Sequence, residues 1–449
     1  MHDGTRTGSL TGGSGMGFRP TTAQWRIVAL LVISVAMNYI DRGSLSIAAP
    51  DLNQEFHFHP SEMGLLFSAF FWSYAGFMVV AGWLADRHPI SLVLGVGYLI
   101  WSLATFGTGF VSSFQALLIL RVFLGLGESV AYPVYSKIIA EQFPISQRGL
   151  PNALIDAGAK VGPAIGTMVG GLIAARYGWR IMFIALGIFS LSWLVPWSLW
   201  APRGRTRTDG NLTITSRSQP SPGILQICRR RDAWGTFIGN FCANYAYYFL
   251  LTWLPSYLVT ERKLSPEMMA ILASLPFWAS ASSSLFGGWA SDRWIARGAS
   301  ATRVRKTFVV SGLVLGTLIF PAALAPDLRI SMALLVGAYV AFGLFSSNHW
   351  AITQTLAGPL AAGRWTGLQN GIANLSGVVA PFATGLIIAR TGNYYWAFTS
   401  AAIILLIGAF CYLFVVQDVL PVKWPVSLGP AEGSLLKPTG EIASGGSDN

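Results

Sequence analysis

The sequence predicts an all-α polytopic membrane protein, with twelve transmembrane helices in two six-helix bundles related by pseudo-symmetry. Three observations predict it. Of 449 residues, 53% are hydrophobic and only 11% charged, against about 25% charged in soluble proteins, and the mean hydropathy is +0.52. Apolar segments of about 20 residues, enough to cross a ~30 Å hydrocarbon core, recur along nearly the whole chain. The second half also repeats the first, in order, at a nearly constant spacing.

Taken in order, the spanning segments fall at residues 25–49, 61–84, 91–110, 115–141, 151–174, 180–200, 233–258, 267–290, 307–325, 331–357, 366–389 and 395–416. Residues 1–24 are polar, rich in Gly, Ser and Thr, and lack a cleavable signal pattern, which predicts a tail followed by a retained first helix. Residues 25–200 make one bundle and residues 232–417 the other. Between them, residues 201–231 carry the Pro, Ser, Thr and Arg of a linker, and residues 418–449 form a second tail. The second helix of each half opens alike. Ser61-Glu62 and Ser265-Pro266-Glu267 each offer a Ser N-cap followed by a first-turn carboxylate, and Pro266 suits the first helical position.

A formal charge of +11 raises the possibility of nucleic acid, and the placement of the charge argues against it. With the N-terminus in the cytoplasm, 20 of the 30 Lys and Arg fall on the cytoplasmic side, six fall outside and four lie within helices. That is the positive-inside bias, and it predicts both termini in the cytoplasm; a bacterial inner membrane is the expected location. The three cysteines show no metal or disulfide spacing, and His57 and His59 sit too exposed and too few for a metal site. No metal and no cofactor are expected.

Shifted by 206, the chain partly reproduces itself. Asn38-Tyr39 falls on Asn244-Tyr245, Phe71-Trp72 on Phe277-Trp278, Gly82-Trp83 on Gly288-Trp289 and Asp86-Arg87 on Asp292-Arg293. The shift drifts to 218 at Gly125 and Gly343, then to 214 at Ala175 and Ala389. Six helices per half make these parallel repeats about an axis along the membrane normal. Each half carries a G-x-x-x-D-R turn after its second helix, in GWLADR (82–87) and GGWASDR (287–293). In this, the chain resembles the major facilitator superfamily. The strings NYIDRGSLSIAAP (38–50) and RVFLGLGE (121–128) further resemble its anion:cation symporter branch, whose bacterial members carry sugar acids and other organic carboxylates with protons. The resemblance implies a monomer with no enzymatic activity. It also implies a cytoplasmic gate at Asp86, Arg87, Asp292 and Arg293, although His88-Pro89 here replaces the Gly and basic residues that usually follow the first turn.

Charges inside spanning segments are costly, about 2.5–3.5 kcal/mol each on insertion scales, and mark interior paths or sites. Asp41 and Arg42 lie about 24 Å along the first helix, pointing ~100° apart, so they need not pair with each other. An Arg fork suits a carboxylate ligand bidentately. A carboxylate taken out of water holds its proton and releases it when wetted, so Asp41 and Glu128 are the candidates for proton coupling. Arg121, two turns before Glu128, reads either as a relay to it or as a structural residue. Asp156 and Lys160 stand four apart on one helical face, and Lys160 either pairs with Asp156 or joins Arg42 in binding a substrate anion. Gly158, Gly162, Gly166 and Gly170 form a small-residue stripe for tight helix packing.

The repeat replaces every one of these charges in the second half. Asp41 and Arg42 map to Tyr247 and Tyr248, Glu128 to Ser346, Asp156 to Asn370 and Lys160 to Asn374. The first half is therefore read as handling protons and anionic charge, and the second as recognising hydroxyls. Candidate substrate contacts are Tyr39, Tyr247, Tyr248, Ser346, Ser347, His349, Trp350, Gln369, Asn370 and Asn374. The reading that follows is a proton-coupled symporter importing an organic carboxylate, a sugar acid above all, by alternating access. The alternatives are a proton-driven efflux antiporter and a membrane sensor that binds without transporting. No nucleophile–base constellation, phosphate loop or metal cluster supports an enzyme.

Overall fold

The protein was studied as a computed structural model that describes residues 20–143, 149–202 and 222–424; a few side chains within helices, Asp86 among them, lie outside that description. The described residues are helical, without strands, and twelve helices are of spanning length. In the first half these are α1 (Thr22–Phe56), α2 (Pro60–Arg87), α3 (Ile90–Thr108), α4 (Phe114–Ile139), α5 (Pro151–Tyr177) and α6 (Trp179–Trp200). The second half holds α7 (Arg231–Thr260), α8 (Pro266–Ala296), α9 (Ala301–Leu324), α10 (Leu328–Gly358), α11 (Arg364–Thr391) and α12 (Tyr395–Val415). Between α10 and α11 the chain breaks at Gly358, whose φ of 62° and ψ of 179° only glycine adopts readily.

Local chemistry sets several boundaries. Thr21 caps α1 and Gln24 returns a bond to the Thr21 N–H, a capping box. The helix runs on to Phe56, past Pro50, until His57 turns left-handed at φ 55°. Ser61 does not cap α2, contrary to the sequence expectation. The cap is His59, with Pro60 at the first position, and the Glu62 carboxylate accepts from the His59 N–H at 2.8 Å. Pro60 has no N–H to lose, so the cap falls two residues earlier than expected. In the second half the cap is Ser265 as expected, accepting from the Met268 N–H.

The repeat survives in three dimensions. Gly125 of α4 lies against the α2 backbone at Phe70, and its repeat mate Gly343 of α10 lies against α8 at Ser280. The glycine stripe of α5 packs on α1, where a Cβ at Gly162 would come 2.6 Å from the Ala36 carbonyl. Beyond Pro163 the same helix widens into a π turn at Gly166–Gly170, the usual response to an interrupted backbone ladder.

The halves meet most closely at the end away from the termini. There α2 and α11 touch so tightly that a Cβ on Gly64 would lie 2.8 Å from the Pro381 carbonyl. A Cβ on Gly385 would meet Pro60 in the same way, and Trp253 Nε1 of α7 donates to the Pro381 carbonyl at 3.1 Å. Further along, Gly377 still meets Phe71, but Gly76 and Gly371 have nothing within 4 Å. The two helices thus diverge toward the terminus-bearing end. On the other side of the seam, α5 touches α8 at Gly171 and Ala270.

Candidate functional site

Between the diverging halves lies a cavity of about 490 Å³. Its lining reaches Asn152 and Thr366, near the terminus-bearing ends of α5 and α11. Arg42 of α1 forms part of its wall. The guanidinium is held among rings, 4.7 Å from the centroid of Tyr39, 4.5 Å from Tyr74 and 5.0 Å from Phe70. Such contacts contribute ~0.5–2 kcal/mol each. Its Nε donates to Glu128 Oε2 at 2.9 Å, with both side chains buried. Glu128 closes the first segment of α4, just before a turn at residues 129–130, so it stands behind Arg42 and off the cavity lining.

Asp41 points the other way, as the 100° step predicts. It is fully buried inside the first bundle, where Ser190 of α6 reaches its Oδ2 at 3.5 Å. Arg121 lies in the same interior, 5.4 Å from the Phe70 ring, and Glu128, Asp41 and Arg42 are its electrostatic neighbours. Several polar atoms here lack a protein partner among the described residues: both side-chain atoms of Asn38, Asp41 Oδ1, Arg42 Nη2, Arg121 Nε and Glu128 Oε1. Buried polar atoms are ordinarily paired. These atoms are grouped around two acids and two arginines.

Lys160 of α5 lines the same cavity. Its Nζ donates to Asp156 Oδ2 at 2.7 Å and, across the seam, to Ser284 Oγ of α8 at 2.7 Å. The Asp156 side chain is 61% exposed.

In the second half, Tyr247, Tyr248, Ser346, His349, Trp350, Asn370 and Asn374 line the cavity, opposite Tyr39. The Tyr248 hydroxyl donates to Asn374 Oδ1 at 3.0 Å. His349 stacks on Phe345, with ring centroids 4.6 Å apart. Two candidates are turned away from the cavity. Ser347 faces α8 at Gly287 and Gly288, and Gln369 is fully buried, accepting from Thr353 at 2.7 Å. Both neighbour residues on the cavity face, and a step of one residue rotates a helical side chain off it.

At the terminus-bearing end, Asp292 pairs with Arg305 of α9 inside its own half, and Arg305 also donates to Asn348. Arg293 sits over Trp289 and Arg87 over Trp83. Asp86 falls outside the described side chains.

The sequence reading missed Tyr74, Tyr132, Asn152, Asn240, Asn244, Ser280 and Thr366, all on the lining. A signal for most was available. The repeat shifts pair Tyr74 with Ser280, Tyr132 with Trp350 and Asn152 with Thr366, and both members of each pair line the cavity.

The model of the Major Facilitator Superfamily matches residues 31–358 and again 258–445. The chain is 31% identical over 404 residues to the "Probable sulfoacetate transporter SauU" of Cupriavidus necator, covering 87% of this chain and 93% of that one. It is 30% identical over 408 residues to the hexuronate transporter of Bacillus subtilis, covering 88% and 94%. Among solved structures, a bacterial homologue of the human lysosomal transporter Spinster, inward-facing and unoccupied, superposes with a TM-score of 0.74. That match is 18% identical and covers 89% of this chain and 98% of the other, which speaks for the fold.

Proposed function

The chain belongs to the major facilitator superfamily and is a membrane transporter, not an enzyme, and from that premise we propose that it is a proton-coupled symporter importing an organic carboxylate. The preferred class is a sugar acid such as a hexonate, hexuronate or aldarate. The observation that carries this reading is Arg42, buried on the cavity wall with Nη2 unpartnered and its Nε held by a buried carboxylate. A substrate carboxylate and Glu128 compete for the same fork. Protonating Glu128 releases the fork for the substrate, and substrate departure lets Glu128 take it back as the proton leaves. Asp41 holds a second proton in the bundle interior, with Arg121 between the two acids as a relay. Hydroxyl and amide groups of the second half, on Tyr247, Tyr248, Ser346, Asn370 and Asn374, bind the substrate's hydroxyls.

Support also comes from the relatives, whose named substrates, sulfoacetate and hexuronate, are acids. Both termini are assigned to the cytoplasm of a bacterial inner membrane from the basic residues, so the cavity here opens inward. Two cationic groups on the cavity wall work against efflux of cationic drugs. The test is Glu128→Gln in proteoliposomes. Proton-driven uptake should be abolished while counterflow exchange of the same substrate persists. Driven uptake at the native rate would remove Glu128 from the coupling.

A further inference from the structure

Building on the carboxylate reading, we propose that the substrate carries two acidic groups, the first held by Arg42 and the second by Lys160. Both cations line one cavity, on α1 and α5 of the same half. Each is at present matched by a carboxylate of the protein, Arg42 by Glu128 and Lys160 by Asp156. The two matches differ in kind. Glu128 is buried, whereas Asp156 is largely exposed, and an ion pair with one arm in water is weak. A ligand carboxylate, sulfonate or phosphonate reaching Lys160 has little to displace. An ammonium offers three donors, and Lys160 spends two, on Asp156 and Ser284.

Charge balance points the same way. Among the described residues on the cavity wall or buried behind it, Arg42, Arg121 and Lys160 face Asp41, Glu128 and Asp156. The set is neutral when all are ionised. Once Asp41 and Glu128 carry the two protons of the proposed cycle, two positive charges stand unmatched. An unmatched charge away from water is costly. A monoanion cancels one of them, and a dianion cancels both. The repeat adds a structural reason for assigning the second acid to this side, because Lys160 maps to neutral Asn374. A twofold-acidic substrate would place both acidic groups against the first half and its middle against the second.

The experiment uses the purified full-length protein in lipid nanodiscs and measures dissociation constants for acids that share a carbon skeleton. The pairs are butanoate and succinate, gluconate and glucarate, and 2-methylbenzoate and phthalate. In at least one pair the diacid should bind more than about tenfold tighter, a difference of ~1.4 kcal/mol. That ratio should fall to about one in Lys160→Gln and persist in Lys160→Arg. Asp156→Asn, which removes the competitor for Lys160, should raise it. Equal binding in every pair, a ratio that survives Lys160→Gln, or no rise in Asp156→Asn overturns the second acid subsite and leaves the carboxylate reading standing. Failure of every acid of either kind to bind overturns both.

Discussion

Arg42 and Asp41 are neighbours in sequence and strangers in space. One lies on the cavity wall among three aromatic rings, and the other is sealed among the helices of the first bundle. A helix separates adjacent side chains by ~100°, and that one rotation puts the Arg42 side chain on the cavity wall and the Asp41 carboxyl inside the bundle. Replacing Arg42 therefore has two costs. Arg42→Ala leaves Glu128 buried without its partner, a penalty of ~3–5 kcal/mol, and the purified variant should melt at a lower temperature. Arg42→Lys keeps the charge but not the planar fork. Its affinity for a carboxylate should fall by at least about tenfold, or ~1.4 kcal/mol, in a titration calorimeter, while a neutral analogue loses less. Equal losses for both ligands would assign Arg42 to structure alone. At this scale the charged residues were legible because charge inside an apolar run stands out. Ser347 and Gln369 were misplaced because composition does not say which face of a helix meets the cavity.

At the scale of the element, the glycines of α5 explain how a helix carrying Asp156 and Lys160 comes to lie flush on α1. Gly158, Gly162 and Gly166 meet α1 at Val32 and Val35, Ala36 and Tyr39, and Ile40. Close approach of the two backbones sets where Lys160 emerges relative to Arg42. A side chain added at Gly162 has no space, because the nearest atom is a backbone carbonyl at 2.6 Å. Gly162→Val should destabilise by ~1–3 kcal/mol as an overpacked site, read as a lowered melting temperature of the purified protein. An unchanged melting curve would show that α5 and α1 can move apart freely. The sequence announced this stripe by its four-residue spacing. It did not announce the π turn at Gly166–Gly170, or the cap at His59, since both depend on which backbone groups go unpaired in the folded helix.

Over the whole molecule, α2 and α11 behave as two blades joined at one end. Their contact runs from Gly64 and Gly385, through Phe71 and Gly377, to an open gap at Gly76 and Gly371. α5 and α8 close the other seam at Gly171 and Ala270, and Lys160 reaches across it to Ser284. Alternating access requires the tight end to part. Gly64→Val puts a side chain where a Cβ already lies 2.8 Å from the Pro381 carbonyl, so it should hold the tight end apart and cut uptake in proteoliposomes, whereas Gly76→Val, at a position with nothing within 4 Å, should leave uptake unchanged. Uptake at the native rate in Gly64→Val would exclude tight closure of this seam from the transport cycle.

The sequence by itself determined the class, the twelve helices, the twofold repeat and the segregation of charge into one half. These are properties of composition and spacing, legible because hydrocarbon requires a spanning segment to pair its own backbone and makes each charge within it stand out. The repeat even held most of the cavity lining, since residues paired by its shifts come to face one another across the pseudo-symmetric seam. Only the tertiary structure decided which charged group faces the cavity and which stands behind it, and that Lys160 bonds Asp156 and Ser284 together. Those outcomes depend on helix rotation and on which end of the seam is closed. Both are set by packing between helices distant in sequence, where a tenth of a turn changes a side chain's neighbours.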